Sequence, residues 1–536
     1  MPDEDPRPAR RWPLWRFGSG PAVARLYARS FAVISVVAWL SLGVQVRVLI
    51  GSRGLLPAAA LVEAARADPD VSVLDLPSIF WWVHGDAALV AGVVAGVLLS
   101  AAALLGVRRR LCFALSTALY LSYAAVARDF LSFQWDNLLL ECGLLAAFLP
   151  TDRPAPLAHF LFRAVLFKLY FESGIAKWQS PLHDWQDGSA MTLYYETAPL
   201  PTALAFFAHH LPAAWHHFES RATLVLELVI PFAIFGPRPA RLFAAGAFTL
   251  FQIINVATAN YGFFCYLALA LHLFLLDDGD VERARAWLAA RLPGHFSGAL
   301  ATLGRWERPL RTATAPMRWY LRWPARVGAA AFLLVSLLEA LWNFTEPGPL
   351  VEQTRVVLEL EGRFRLINTY HLFAGITRER IEPEFQTLAP GAAPDDDAAW
   401  VPQHLRHKAG DIHRRPDFVA PHQPRVDFQL WFYGLRFQRR EPAYVATLVE
   451  RMCEDPAAVQ PLFRSPLPHD AAAVRIVYWQ YWFASAAERR ATGAWWRRAR
   501  LGQTPPQPPP PPGPPQTPPP RPPRPARASP RWERCS

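Results

Sequence analysis

The sequence predicts an α-helical polytopic membrane bundle of about 8–9 spans carrying a C-terminal extracytoplasmic domain of α+β or β-rich type. Three observations predict it. Hydrophobic residues make up 52% of the 536-residue chain, and they gather into long apolar runs rather than into short alternating segments. Arginine-rich clusters punctuate those runs at intervals, as loops on the cytoplasmic side of a membrane do. Beyond residue 354 the runs stop, and strand-like and amphipathic segments follow before a proline-rich end.

In order, residues 1–26 form a charged, Pro-rich segment with no apolar signal-peptide core, so the first span is expected to direct insertion. Spans are expected at 31–46, 87–107, 111–127, 137–149, 160–176, 223–235, 242–256, 263–276 and 327–341, which gives about nine. Residues 27–345 therefore read as one transmembrane domain. Arg108, Arg109 and Arg110, the pair Arg238 and Arg241, and nine arginines between 277 and 326 mark three loops on one side of the membrane. That bias places the N-terminus inside and everything after Asn343 outside. Within 346–500, strands are expected at 355–361 and 475–483 and a helix at 442–452. The stretch 501–536 is nearly all proline with scattered arginine and reads as a disordered tail.

The net charge of +11 lies in these topological clusters and in the tail, a distribution that argues against a nucleic-acid partner. Five cysteines, Cys112, Cys142, Cys265, Cys453 and Cys535, form no C-x-x-C pair, so neither a disulfide framework nor a redox centre is expected. His183, His209, His210, His216 and His217 crowd one loop without zinc-site spacing, and no metal is expected.

Ionisable groups inside apolar runs are costly and mark candidate sites. Lys168 and Glu172 stand four residues apart, so they can pair on one helix face, with Lys177 about one turn beyond. Asp136 and Glu141 lie within about two turns of each other on a neighbouring run and can face the lysines as counter-charges, or serve as polar glue between spans. Two readings of Lys177 stand open. Its ammonium can snorkel to the interface, or a desolvated free amine there can act as a base. In the C-terminal part, Asp411, His413, Arg414, Arg415, His422, Arg425 and Asp427 crowd a proline-stiffened stretch. They read as a buried ion network where this domain rests on the bundle, or as a client-contact surface.

Several long motifs resemble the lipase maturation factor family. They are Ile50-Gly-Ser-Arg-Gly-Leu-Leu-Pro57, Phe133-Gln-Trp-Asp-Asn-Leu-Leu-Leu-Glu-Cys-Gly143, Tyr195-Glu-Thr-Ala-Pro-Leu-Pro201, Trp215-His-His-Phe-Glu219, Phe364-Arg-Leu-Ile-Asn-Thr-Tyr370, and the run from Gly410 to Asp427. The resemblance implies a multi-pass, chaperone-like factor for protein folding and assembly of secreted clients such as lipases, in contact with membrane lipid. Eukaryotic relatives work in the endoplasmic reticulum membrane. The Ala/Arg/Pro-rich composition here suggests a bacterium, where the membrane would be the plasma membrane. More distantly, Ser173-Gly-Ile-Ala-Lys177 followed by Asp184-Trp185 and Gly188 is similar to the vitamin K-dependent gamma-glutamyl carboxylase. That likeness implies the alternative of an enzyme with a quinone-like cofactor and Lys177 as base. No cofactor is expected on the maturation-factor reading.

Overall fold

A computed structural model describes residues 20–291, 319–435 and 441–504. The first nineteen residues, most of the arginine-rich stretch from 292 to 318 and the proline-rich tail beyond 504 lie outside the described residues.

The N-terminal half is helical. Its main elements are α1 (Pro21–Gly43), α2 (Asp86–Leu104), α3 (Arg109–Val126), α4 (Gln134–Ala147), α5 (Pro156–Trp178), α6 (Ala213–Leu228), α7 (Arg238–Thr258), α8 (Phe264–His272) and α9 (Trp319–Phe344). Each expected span has a helix at its place. Among the described residues, four helices are long and apolar enough to cross a membrane: Pro21–Gly43, Asp86–Leu104, Arg238–Thr258 and Trp323–Phe344. The remaining elements fall short for physical reasons. At 1.5 Å per residue α4 is about 21 Å long, less than the hydrocarbon thickness, and α5 is long enough but carries Arg163, Lys168, Glu172 and Lys177 in its buried face. The count of about nine therefore rests on helices that need protein neighbours as well as lipid.

Small residues set the closest approach in the bundle. A Cβ at Gly96 of α2 would stand 2.2 Å from the Trp39 ring of α1, and one at Gly92 would stand 2.3 Å from the Tyr123 hydroxyl of α3. In turn, Trp39 donates its indole N–H to Ser116 of α3 at 2.9 Å. Close backbone contact of this kind replaces the hydrophobic drive that lipid cannot supply.

The C-terminal part holds one antiparallel sheet in the order β2-β1-β3-β4, with β1 (Arg380–Leu388), β2 (Trp400–Gln403), β3 (Ala473–Phe483) and β4 (Trp496–Gln503). Central β1 pairs with β3 from Arg380 opposite Tyr481 to Leu388 opposite Ala473, and every one of its residues is buried. Helices α10 (Arg425–Gly434) and α11 (Ala443–Glu454) lie between β2 and β3 in sequence. Gly434 closes α10 on β1: a Cβ there would stand 2.1 Å from the Ile381 carbonyl oxygen. One contiguous apolar cluster runs from Val23 in α1 to Trp496 in β4, so bundle and sheet share a core.

The strand expected at 355–361 is instead a helix, Arg355–Phe364. An i,i+4 ion pair between Arg355 and Glu359 at 2.7 Å supports it, and such pairs favour helix over strand. Strand β1, for its part, carries Arg380, Glu382, Pro383 and Glu384, and that mixture conceals its period. A testable outcome follows from the α1–α2 contact. Gly96→Leu must displace the Trp39 ring, and overpacking of this kind costs about 1–3 kcal/mol. The detergent-solubilised chain should therefore aggregate at a lower temperature than the parent, while Gly246→Ala, in α7 with nothing near its Cβ, should shift it less.

Candidate functional site

Several buried charges of the bundle converge on one strap of chain, residues 365–376, that leads from the helix after α9 into β1. Helix α4 contributes Glu141, and α5 contributes Lys168, Glu172, Ser173 and Lys177 on successive turns of one face. Lys168 Nζ donates to Glu141 Oε1 at 2.8 Å and to Ser336 Oγ of α9 at 3.1 Å. The other Glu141 oxygen accepts the Tyr370 hydroxyl. Glu172 takes the Tyr370 N–H at 2.9 Å, and Ser173 Oγ takes the Leu372 N–H at 3.4 Å. Lys177 Nζ lies 3.0 and 2.7 Å from the two oxygens of Glu227 in α6 and donates to the Leu372 carbonyl at 2.7 Å. Further along, Trp185 donates to the Phe373 carbonyl at 3.1 Å, and Asp184 accepts the Ile376 N–H at 2.8 Å. An extended segment has no hydrogen-bond partners of its own, so side chains of the bundle supply them.

Two expectations are corrected here. Lys168 pairs with Glu141 and not with Glu172, because Glu172 is turned to the strap backbone. Lys177 does not snorkel to the interface: it is only 2% exposed, closed in by Glu227, the strap and the Trp185 ring 5.2 Å away.

A second junction joins the domain to the bundle. Arg425 opens α10, and both it and Asp136 of α4 have no exposed surface. The guanidinium grips the carboxylate bidentately, at 2.8 Å through each nitrogen, with further bonds to the Phe130 carbonyl at 2.6 Å and the Tyr120 hydroxyl at 3.1 Å. Tyr120 in turn donates to Asp136 at 2.6 Å. Burial alone would lower the Arg425 pKa, but Asp136 and Tyr120 overcome it and hold the guanidinium protonated. The loop before Arg425 is fastened the same way. Ser41 of α1 meets His422 Nδ1 at 2.9 Å and accepts the Gln423 N–H at 2.9 Å. Gln45 binds the Gln423 carbonyl at 2.7 Å and the Arg425 N–H at 3.0 Å, and Asn260 Oδ1 accepts the Val419 and Ala420 N–H groups at 2.7 and 3.0 Å.

The expected network among Arg414, Arg415, Arg425, Asp411 and Asp427 is therefore differently wired. Arg425 reaches across to Asp136, and Arg414 pairs with Asp417. Asp427, buried and with its pKa raised by that burial, accepts the His407 N–H at 2.9 Å. Asp411 caps its own loop at the His413 N–H, at 2.8 Å. Asp411, His413 and Arg415 are exposed.

Sequence reasoning missed a buried trio. Glu382 of β1 lies 2.7 Å from Arg380 and 2.6 Å from Lys408. Arg380 also donates to the Glu196, Ala198 and Pro199 carbonyls at 3.1, 2.5 and 3.2 Å, stitching the sheet to the 195–201 motif. The signal available was the alternation of Arg380, Glu382 and Glu384 along one strand face. Glu227 was likewise legible as a lone carboxylate in an apolar run. Among the described residues no group of three His, Cys, Asp or Glu side chains converges as metal ligands do.

A helical bundle with membrane-crossing helices, sharing its core and its buried charges with a small antiparallel sheet domain, defines an integral membrane protein of two interlocked parts. Comparison with known proteins names the family. The family model described as lipase maturation factor transmembrane domain matches residues 22–283, and the one described as lipase maturation factor C-terminal domain matches 366–506. Lipase maturation factor 1 of Bos taurus is 30% identical over 88% of this chain and 86% of its own length. Lipase maturation factor 2 of Homo sapiens is 28% identical over 88% and 81%, and lipase maturation factor 1 of Homo sapiens is 27% identical over 88% and 85%. The chain belongs to the lipase maturation factor family. No solved structure matches it, and the likeness to the gamma-glutamyl carboxylase draws no support from these relatives.

Two measurements test the junction. Arg425→Ala strands Asp136 as a buried carboxylate without its cation, which should cost about 3–5 kcal/mol and lower the thermal midpoint of the whole protein. Arg415→Ala, at an exposed side chain, should leave it unchanged. His422 titrates too. Burial, with help from His407 and Arg425, depresses its pKa from 6.5 to about 4, so the fold holds it neutral and the unfolded chain takes up its proton first. Its contribution is complete above pH 6.5 and is lost as pH falls from about 6.5 to about 4. The parent should therefore lose stability over that window more steeply than His422→Gln.

Proposed function

We propose that this protein is a membrane-embedded maturation factor that assists the folding and assembly of secreted lipases, with its C-terminal domain on the outer or lumenal side. The observation that carries the reading is that relatives named lipase maturation factors match 88% of the chain, across both of its parts. The geometry fits a holder of proteins. The amines of the bundle are spent on Glu141, Glu227 and the strap, so the buried charges serve to fix one domain on another. Within the 410–427 loop the labour divides: Arg425 and Asp427 anchor it from within, while exposed Asp411, His413 and Arg415, with Phe418 beside them 59% exposed, form the surface for client contact. The orientation is supported by the arginine clusters at 108–110 and 238–241, which favour the cytoplasmic side for the opposite end of the bundle. On this reading the membrane is the plasma membrane in a bacterial host and that of the endoplasmic reticulum in a eukaryotic one.

The test is co-expression with a secreted dimeric lipase in a host lacking its own maturation factor, reading lipase activity per mass of secreted lipase. The parent should raise that ratio, and no rise with any dimeric lipase would sink the reading. Lys177 gives the finer test. Lys177→Met leaves Glu227 unpaired and should lower both abundance and lipase yield, at a cost of about 3–5 kcal/mol. Lys177→Met combined with Glu227→Met removes both charges and should restore most of the yield. A double variant that is abundant yet inactive would mean that the amine itself does chemistry.

A further inference from the structure

Helix Arg355–Phe364 divides into three sectors. Leu358 is buried and Glu361 is turned inward, where it accepts the Leu366 and Ile367 N–H groups at 2.9 and 2.6 Å. Arg355, Glu359 and Arg363 make a charged sector, with Arg355 and Glu359 paired at 2.7 Å. The third sector is apolar and open: Val356 is 74% exposed, and Val357 and Leu360 beside it are exposed as well. Such a face on a short helix needs a cover.

Its surroundings say which. The helix follows the membrane-crossing α9 by about ten residues and packs against it. Leu334 and Leu337 of α9 are themselves exposed within its span. Arg363 also binds Asp75 at 2.6 Å. That bond joins the helix to the loop preceding α2, where Leu74, Ile79, Trp82 and Val83 are exposed, Trp82 at 67%. Trp82 stands four residues before Asp86, the first residue of another membrane-crossing helix. A Trp at that position is a mark of the headgroup layer. Two apolar surfaces, each next to the end of a span at the same end of the bundle and fastened to each other by an ion pair, share one neighbour.

We propose that helix Arg355–Phe364 and the 74–83 loop form a monotopic platform that dips into the lipid headgroup and acyl boundary, with Val356, Val357, Leu360 and Trp82 in lipid and Arg355 and Glu359 at the water side. An amphipathic helix of this kind beds its apolar face about 5–10 Å into that boundary. The platform is separate from the spans. It fixes where the strap, which begins at the end of this helix, enters the bundle.

The experiment uses the full chain with Cys453→Ser and Cys535→Ser, reconstituted in phosphatidylcholine vesicles, carrying one nitroxide at a time. Labels placed by Val357→Cys, Leu360→Cys and Trp82→Cys should relax strongly with oxygen and weakly with a water-soluble nickel chelate. Their oxygen-to-nickel ratio should exceed severalfold that of a label at Glu359→Cys. Equal ratios at all four positions would overturn the proposal and leave the surface to a protein partner. A second readout guards against local unfolding at a labelled site. Leu360→Lys, which keeps the helix but charges the apolar face, should raise nickel access at the Val357→Cys label, and unchanged access there would equally overturn it.

Discussion

Arg425 and Asp136 meet where neither has any contact with water, and such a pair holds only if its geometry is nearly complete, since removing two charges from water costs more than a loose contact returns. Here the guanidinium spends its donors on both carboxylate oxygens, a backbone carbonyl and a phenol. Those bonds fix the first turn of α10. The last residue of the same helix, Gly434, lies against the Ile381 carbonyl, so the position of β1, and with it the sheet, follows from a bond made inside the bundle. Arg380 then returns the constraint from β1 to the chain at 196–199.

The strap obeys the same logic in a different chemistry. Four of its backbone N–H groups and two of its carbonyls between 370 and 376 are met by side chains of α4, α5 and residues 184 and 185. This accounts for Glu172, Ser173 and Lys177 in the buried face of α5. The charges stand where they do because an extended peptide must be received at that depth. A base acting on a small molecule needs a reachable lone pair, whereas Lys177 has its protons committed to Glu227 and to the Leu372 carbonyl.

Helices of the bundle were legible because apolar runs and arginine clusters report them directly, and β3 was legible from a composition rich in Val, Tyr, Trp and Phe. The polar positions of the site were legible too, since a carboxylate or lysine in an apolar run stands out by its cost. Their partners were not. Lys168 has Glu172 four residues away and Glu141 on another helix, and local spacing favours the first while tertiary packing selects the second. Arg425 has Asp427 two residues on, but α10 turns those side chains to different neighbours. The helix Arg355–Phe364 was misread because Val356, Val357 and Leu358 suggest a strand, and only the Arg355–Glu359 pair and the unfilled apolar face explain why it is not one. The buried trio on β1 was hidden because charged residues on a central strand contradict the pattern that identifies strands.

The strap also sets an order of assembly. Glu141 and Glu172 lie in helices made early, yet the Tyr370 hydroxyl and N–H that complete them come 229 and 198 residues later. Until the ribosome has delivered that stretch, α4 and α5 hold carboxylates and lysines whose final partners do not yet exist. Closing loops of this length is entropically slow. The early helices must therefore wait, loosely packed and partly wetted, for a segment made after the last span. A nascent chain stopped at Phe344 would carry the four helices long and apolar enough to cross a membrane among the described residues and still lack a finished bundle.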